Sequence, residues 1–381
     1  MAERPVIVAA RRTPIGTTGQ RLHAVPVDEL AARALRAAHD DAEAAVGALA
    51  LADVVLGNCM GPGGNTARVA SLAAGLGERA PGMTIDRQCG SGLAAILTAA
   101  QSLVADAAEP AMRLAGGAES PSTAPSRVLD GRPYERAPFA PAGFPDPGMG
   151  VAAEDLATRR GISRRRQDAY ALRSHDRAFA TREAGGFDAE LVSGAELQRD
   201  DGPRRMTAAV LDRFGPAFAP HGTVTAGNSC RVSDGAAVVA LVPESCRGAS
   251  PGLAIVAGAV VGCDPALPGW GPVPAVEEVL RRAGVGLDHI AAIEIVEAFA
   301  AQVLAVGDAL GLCEGEYVDE RLCAEGGALA LGHPWGASGA VLMVRLFSRL
   351  VRGGAPAGAL GLATAAIGGG MGVAVLVEVV R

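Results

Sequence analysis

Apolar positions along the chain gather into short runs divided by polar, glycine-rich turns, and the runs alternate between two periods. Residues 6–10 are an unbroken apolar run of strand length, residues 27–48 set leucines and alanines at helical spacing, and residues 54–57 return to a strand pattern. A loop at 62–65 leads into a helix expected over 66–74. The stretch 83–104 opens extended, turns through Cys89, Gly90, Ser91 and Gly92, and continues as one long helix. No charged residue occurs from Gln88 to Ala105, and Leu93, Ile96, Leu97, Leu103 and Val104 are spread among alanines instead of lying on one stripe. A helix apolar all round is a buried helix, and Thr98, Gln101 and Ser102 make this one too weakly apolar to prefer lipid. A strand at 111–116 closes the first set.

The pattern then breaks. Prolines recur at 121, 125, 133, 138, 141, 145 and 147, apolar runs vanish up to residue 220, and arginines cluster at 164–166. Ser163 is placed to cap a helix over 164–184, which Gly185 and Gly186 end. A second set follows: an apolar run at 235–242, a strand at 253–262, a helix at 276–283, a strand at 290–296, helices at 299–310 and 337–350, and strands at 359–367 and 373–380 around a glycine turn. Strands alternating with helices predict an α/β fold with helices covering sheet. The two sets repeat similar elements in similar order, so a duplicated architecture is expected, and the proline-rich segment reads as an excursion from it.

Composition narrows the picture. At 381 residues the chain predicts two domains or two halves around a shared core. A formal charge of −7 argues against a nucleic-acid or anionic-membrane surface. All 34 basic residues are arginine, which excludes a lysine base or Schiff-base lysine. The seven cysteines (59, 89, 230, 246, 263, 313, 323) include no C-x-x-C pair, so free thiols are expected, with neither a disulfide framework nor a metal site. The N-terminal residues show no signal-peptide pattern, and a cytoplasmic location is expected.

Candidate chemistry centres on Cys89. A thiol at the start of a buried helix faces unpaired backbone N–H groups and the positive end of the helix dipole, which favour thiolate. Of six histidines, His333 alone has a glycine-lined approach, between Gly332 and Pro334 and ahead of the 337–350 helix. Cys–His pairing makes it a candidate general base. The glycine turn after Ile367 exposes backbone N–H groups suited to an oxyanion. Patterns for nucleotide hydrolysis and dinucleotide binding are absent, with no G-x-x-x-x-G-K and no G-x-G-x-x-G after a strand, and Gly336-Ala337-Ser338-Gly339 is followed by Ala340, so it does not complete a serine-hydrolase G-x-S-x-G.

Together these segments resemble the thiolase family. The resemblance is carried by D-R-Q-C-G-S-G-L at 86–93, G-G-A-E-S at 116–120, G-T-V-T-A-G-N at 222–228, G-P-V-P-A at 271–275, E-A-F-A-A-Q at 297–302, the 326–339 segment and G-G-G-M-G at 368–372, in family order across essentially the whole chain. It implies a five-layered αβαβα fold of two similar α/β halves, here 1–248 and 249–381, around two buried helices. It also implies a loop domain inserted at about 119–225 that covers coenzyme A, and a homodimer or homotetramer. Cys89 would be the acyl-accepting nucleophile, His333 its activator, and the backbone N–H groups of Cys89 and Gly368 the oxyanion hole. The substrate implied is an acyl-CoA or acyl-carrier thioester, with no permanently bound cofactor.

The chain departs from the family pattern on one side of this chemistry. Val296 stands where the family has an Asn that orients a water in a second oxyanion hole, and Ala366 where it has the second catalytic Cys that handles the α-proton and the coenzyme A thiol. Cys230 and Arg231 replace Ser and Gly beside the pantetheine arm, Pro268 replaces a pocket Met, and Gly148 replaces a His ahead of Met149. With Phe299, these residues describe a rebuilt substrate pocket: Met149, Cys230, Pro268, Val296, Phe299 and Ala366. An acid–base group contributes roughly 10²–10⁴-fold and an oxyanion donor roughly 10²–10³-fold. The expectation is an acyltransferase that loads Cys89 and passes the group to a heteroatom nucleophile or to a carbon acceptor, including by decarboxylative condensation. The alternatives are an ordinary acetyl-CoA acetyltransferase or 3-ketoacyl-CoA thiolase, with Cys230 or Cys323 as replacement base, and a non-catalytic subunit that binds acyl thioesters.

Overall fold

The computed structural model describes residues 3–106, 110–134, 136–192, 194 and 196–381. Its main sheet is built from β1 (Pro5–Arg12), β2 (Leu51–Gly57), β3 (Met83–Ile85), β4 (Met112–Glu119), β5 (Ser233–Pro243), β6 (Gly252–Gly262), β7 (Ile290–Ile295), β8 (Leu360–Ile367) and β9 (Met371–Val380). In space they run β7-β8-β9-β6-β1-β5-β4-β2-β3, and the short strand Gly16–Thr17 pairs with the start of β5. The pairs β2–β4, β2–β3 and β7–β8 are parallel, as helical crossovers require, and the others are antiparallel. β1 joins the two sets: it pairs with β5 along its length but with β6 only at Val6 and Ile7.

The described residues also form eight longer helices: α1 (Val27–Val46), α2 (Thr66–Ala73), α3 (Ser91–Ala105), α4 (Met149–Arg160), α5 (Arg164–Glu183), α6 (Pro272–Ala283), α7 (Ala300–Leu310) and α8 (Trp335–Leu346). α3 and α8 pack on each other, α3 also lies on β2 and β4, and α8 touches β4, β5 and β8. α1 covers β1 and β5 from outside, and α6 covers β6 and β9. The result is the layered α/β class expected from the alternation of strand and helix, with α3 and α8 as its innermost layer. Small residues allow that layer. A Cβ on Gly92 would stand 2.6 Å from the Ala340 nitrogen, and one on Gly339 would stand 2.6 Å from the Leu93 nitrogen, so the two helices cross backbone to backbone. Leu93, Ile96, Ala99 and Leu103 share one buried face of α3, with Ala94, Ala95 and Ala100 buried beside them, but the helix is not covered all round as its sequence predicts, since Val104 is 41% exposed.

The proline-rich excursion holds two features that periodicity did not announce, α4 and a small hairpin of Arg127–Leu129 with Arg132–Tyr134. The chain beyond α5 is fastened to the core by charge. Arg12, fully buried on β1, donates to Glu190 at 2.6 Å and to both Asp200 oxygens at 2.7 and 2.8 Å, while Arg345 of α8 also reaches Glu190. Removing one partner of such a buried pair costs roughly 3–5 kcal/mol. The helix expected over 337–350 ends at Leu346 and continues as a π-helical turn, Phe347–Arg352. Among the described residues, no helix is long and apolar enough to cross a membrane.

Candidate active site

Cys89 lies in a 3₁₀ turn, Gln88–Gly90, between β3 and α3. Gln88 holds φ at 47°, in the left-handed region that a non-glycine residue rarely adopts. Local bonds keep it there. Its N–H donates to Asp86 Oδ1 at 2.9 Å, and its carbonyl accepts from Ser91 Oγ at 2.7 Å and Cys59 Sγ at 3.3 Å. This strained turn sets Cys89 in the wall of a cavity of about 500 Å³.

His333 reaches the same cavity from the loop ahead of α8, where its N–H donates to the Arg231 carbonyl at 2.9 Å. Its Nε2 is 3.4 Å from Cys89 Sγ, and its Nδ1 is 2.6 Å from Ser338 Oγ. Ser338 Oγ also lies 2.9 Å from the Pro334 carbonyl, which can only accept. The hydroxyl proton therefore goes to Pro334, and Nδ1–H donates to Ser338 Oγ. Assigned from this network, the tautomer leaves a lone pair on Nε2 facing the thiol, as a base requires. Below the loop, buried Glu119 accepts N–H groups from Gly336 at 2.9 Å, Met60 at 2.9 Å and Cys59 at 3.1 Å, which ties the chain after β2 to the start of α8. Burial raises the Glu119 pKa against these stabilising bonds.

Burial pushes the Cys89 thiol up to about 12; its own backbone N–H pulls the other way, and Glu119 and Asp86 add to the rise. Burial pushes His333 down to about 4. Both shifts favour a neutral thiol beside a neutral imidazole near pH 7. The resting thiolate expected from a helix N-terminus is not favoured here, because Cys89 sits one turn ahead of α3 in a desolvated wall with carboxyl groups nearby.

Of the residues anticipated for this site, Cys89, His333, Gly368, Met149, Cys230 and Phe299 line the cavity. Pro268, Val296 and Ala366 are not among its walls. Pro268 is buried in the Pro268–Trp270 turn ahead of α6, Val296 is 2% exposed within the apolar core with its N–H on the Thr364 carbonyl, and Ala366 pairs with Gly372 in the β8–β9 ladder. Cys323 is fully buried elsewhere, with its Sγ 3.6 Å from the Ile295 carbonyl. Cys230 stays in the cavity wall because its N–H donates to the Ala298 carbonyl at 3.0 Å. Burial and then the neighbouring Cys89 push its thiol up to about 12.

Several wall residues escaped the sequence reading. Tyr134, Phe139 and Phe218 come from the aperiodic segment, and Cys59 and Trp335 from loop and helix starts. The Phe139 ring lies where a Cβ on Gly368 would meet it at 2.6 Å, and Phe218 meets Phe299 edge to face at 5.8 Å. Only Ser338 left a legible signal, as a hydroxyl in the first turn of the helix after His333. The one cluster with metal-ligand spacing among the described residues, His39, Asp40 and Glu43, lies on α1 and not in the cavity wall.

Two protein families match the chain: "Thiolase, N-terminal domain" over residues 5–245 and "Thiolase, C-terminal domain" over residues 250–379. The chain is 39% identical over 402 residues to the acetyl-CoA acetyltransferase of Escherichia coli (strain K12), covering 98% of each chain. It superposes on the crystal structure of the Bacillus anthracis acetyl-CoA acetyltransferase with a TM-score of 0.89 at 36% identity, covering 100% of this chain and 99% of that one. Human mitochondrial 3-ketoacyl-CoA thiolase in complex with CoA gives 0.87 at 32% identity, with 100% and 99% covered.

Proposed function

The chain belongs to the thiolase family of acyltransferases, and from that premise we propose that it exchanges acyl groups between coenzyme A thioesters through an acyl-Cys89 intermediate. The observation that carries this reading is the 3.4 Å approach of His333 Nε2 to Cys89 Sγ in the wall of the 500 Å³ cavity. As the thioester carbonyl arrives, Nε2 takes the thiol proton and Sγ attacks the carbonyl carbon. The oxyanion formed faces the backbone N–H groups of Cys89 and Gly368. Collapse breaks the carbon–sulfur bond to coenzyme A, and the leaving thiolate takes a proton from Cys230, whose raised pKa keeps it protonated until then. The Cys230 thiolate next removes the α-proton of a second acyl-CoA. That carbanion attacks the acyl-Cys89 carbonyl, releasing 3-ketoacyl-CoA, and Cys89 recovers its proton from the His333 imidazolium. The reverse direction is thiolysis. This is the activity named for the acetyl-CoA acetyltransferases the chain resembles, with Cys230 in place of the thiol missing at Ala366.

A second reading rests on Ala366 itself. With a methyl group at that position, Cys89 would pass its acyl group to a heteroatom nucleophile or to a carbanion made by decarboxylation, neither of which needs an α-proton base. One experiment tests both readings. The protein is incubated with acetyl-CoA, its peptides are mapped by mass spectrometry, and acetoacetyl-CoA thiolysis is followed. An acetyl group on Cys89 with thiolysis at ordinary enzyme rates supports the first reading. The same adduct with background thiolysis turns the assignment to the second, and no adduct rejects both.

A homodimer or homotetramer fits this reading, since β3 ends the sheet with a free edge beside exposed Val69, Leu72 and Met83. Sedimentation as a monomer would remove it.

A further inference from the structure

The acyl cavity carries charge that the reaction proposed above does not use. Arg127, Arg136 and Asp86 stand in its wall among the apolar side chains. Two of the three are engaged. Arg136 donates to Asp146 Oδ1 at 2.8 Å and lies over the Phe139 ring at 4.7 Å, so its charge is balanced and its face covered. Asp86 accepts the Gln88 N–H at 2.9 Å and belongs to the turn that presents Cys89. Arg127 is different. Its Nη2 donates to the Cys59 carbonyl at 2.6 Å, and among the described residues it forms no ion pair, which leaves Nε and Nη1 free to donate.

The small hairpin brings Arg127 to the cavity. Arg127 and Tyr134 are cross-strand partners in its ladder, so their side chains leave one face together, and both line the cavity. The Tyr134 hydroxyl has no partner among the described residues either. Cys59 links this pair to the nucleophile: its Sγ meets the Gln88 carbonyl at 3.3 Å, next to Cys89, and its own carbonyl meets Arg127. A single residue therefore spans the gap between the Cys89 turn and the guanidinium, and Met60 and Trp335 add apolar wall to the same cavity. In the reaction proposed above Cys230 serves the coenzyme A thiol, so the coenzyme arm leaves by the 226–231 loop. The wall built from residues 59–60 and the hairpin is then left to the acyl group.

We propose that Arg127, with Tyr134, selects acyl groups that end in a carboxylate, so that the preferred substrate is the coenzyme A monothioester of a dicarboxylic acid. This deepens the acyl-Cys89 reading and rests on it. The methylenes lie against Met60 and Trp335, the carboxylate takes the guanidinium as a paired donor, and the Tyr134 O–H supplies a third bond. Asp86 acts on Cys89 from close by and repels a carboxylate held near the thioester, so charge is read at the far end of the chain. An acetyl group still reaches Cys89 but leaves Arg127 without a counter-charge. A site built to hydrogen-bond a substrate group disfavours the analogue that lacks it.

The test is acylation of Cys89 by thioesters matched in chain length: succinyl-, glutaryl- and adipyl-CoA beside butyryl-, pentanoyl- and hexanoyl-CoA. Single-turnover rates give the preference within each pair, for the parent and for Arg127→Gln. The parent should favour the carboxylated member of at least one pair roughly 10-fold or more, and Arg127→Gln should lose that ratio. A merely structural defect in the hairpin would slow both members and leave the ratio standing. The proposal is overturned if the parent shows no preference for a carboxylated member, or if Arg127→Gln leaves the ratio unchanged. The same pairs are titrated calorimetrically into Cys89→Ala, with and without Arg127→Gln. If no thioester acylates Cys89, the acyl-enzyme reading fails, while the ratio of Kd values in these variants still decides whether Arg127 reads the carboxylate.

Discussion

The acyl cavity has a nucleophile side and an acceptor side, and the chain treats them differently. On the nucleophile side every group is within bonding reach: Ser338 holds His333, His333 faces Cys89, and the strained Gln88 turn presents the thiol. On the acceptor side, Ala366 and Val296 both lie behind the cavity wall, in the β8–β9 ladder and the apolar core, while Cys230 brings a thiol in from the 226–231 loop. The difference teaches that acylation and onward transfer are separable demands on one cavity. The first is met by the turn before α3 and the loop before α8. The second belongs to the end of β8 and the chain between β7 and α7, so it can be rebuilt without disturbing the first.

The largest effects are expected on the nucleophile side. Cys89→Ala should abolish the acyl adduct and reduce turnover by at least roughly 10⁴-fold; retention of a covalent acyl group elsewhere in the cavity would break the comparison at its root. His333→Asn keeps a polar side chain but removes the base, and should slow acylation roughly 10²–10⁴-fold in single-turnover measurements.

On the acceptor side, Cys230→Ser should cost roughly 10²-fold in acetoacetyl-CoA thiolysis, while single-turnover acylation of Cys89 by acetyl-CoA, whose thiolate is a good enough leaving group to depart before it is protonated, stays within about 3-fold of the parent. Adding Ala366→Cys to that variant should restore thiolysis, since it returns a thiol to the end of β8. Equal losses in both half-reactions would show that the two sides are not separable.

The resting state of the nucleophile gives a subtler contrast. With the Cys89 pKa raised to about 12, its thiolate fraction grows with pH throughout the accessible range, whereas a thiol depressed by an imidazolium partner would already be ionised at neutral pH. Alkylation of Cys89 by iodoacetamide should therefore quicken about 10-fold per pH unit between roughly pH 7 and 9. A plateau in that range would mean a preformed thiolate–imidazolium pair.

Much of the nucleophile side was legible in the sequence, and much of the acceptor side was not. Cys89 sits between β3 and α3, His333 just ahead of α8 and Gly368 between β8 and β9, each at a break next to a strongly patterned element, where a turn forces a side chain or an N–H into the open. Val296 and Pro268 belong to short connections whose direction is set by distant packing: the Val296 N–H is held by Thr364, nearly seventy residues on in β8, and no local pattern encodes that. Tyr134, Phe139 and Phe218 come from a segment without period, and what Phe139 and Phe218 pack against, Gly368 and Phe299, is remote in the chain. The layers themselves were readable because α3 and α8 carry apolar and small residues all round.

The smallest expected effect concerns Ser338, and it separates orientation from bulk structure. Ser338 does not line the acyl cavity. Its contribution is to accept Nδ1–H and so keep the Nε2 lone pair on Cys89. Without it the two neutral tautomers of His333 interconvert and the ring loses one of its two anchors, so Ser338→Ala should slow acylation roughly 10-fold, well short of the His333→Asn loss. A merely structural defect would lower Tm and raise KM. Loss of the tautomer lock instead lowers the single-turnover rate at constant KM, and Ser338→Thr, which keeps the hydroxyl, should recover most of it. If Ser338→Ala acylates at the parent rate, the backbone bond to Arg231 alone positions His333, and the nucleophile side is held by fewer contacts than its geometry suggests.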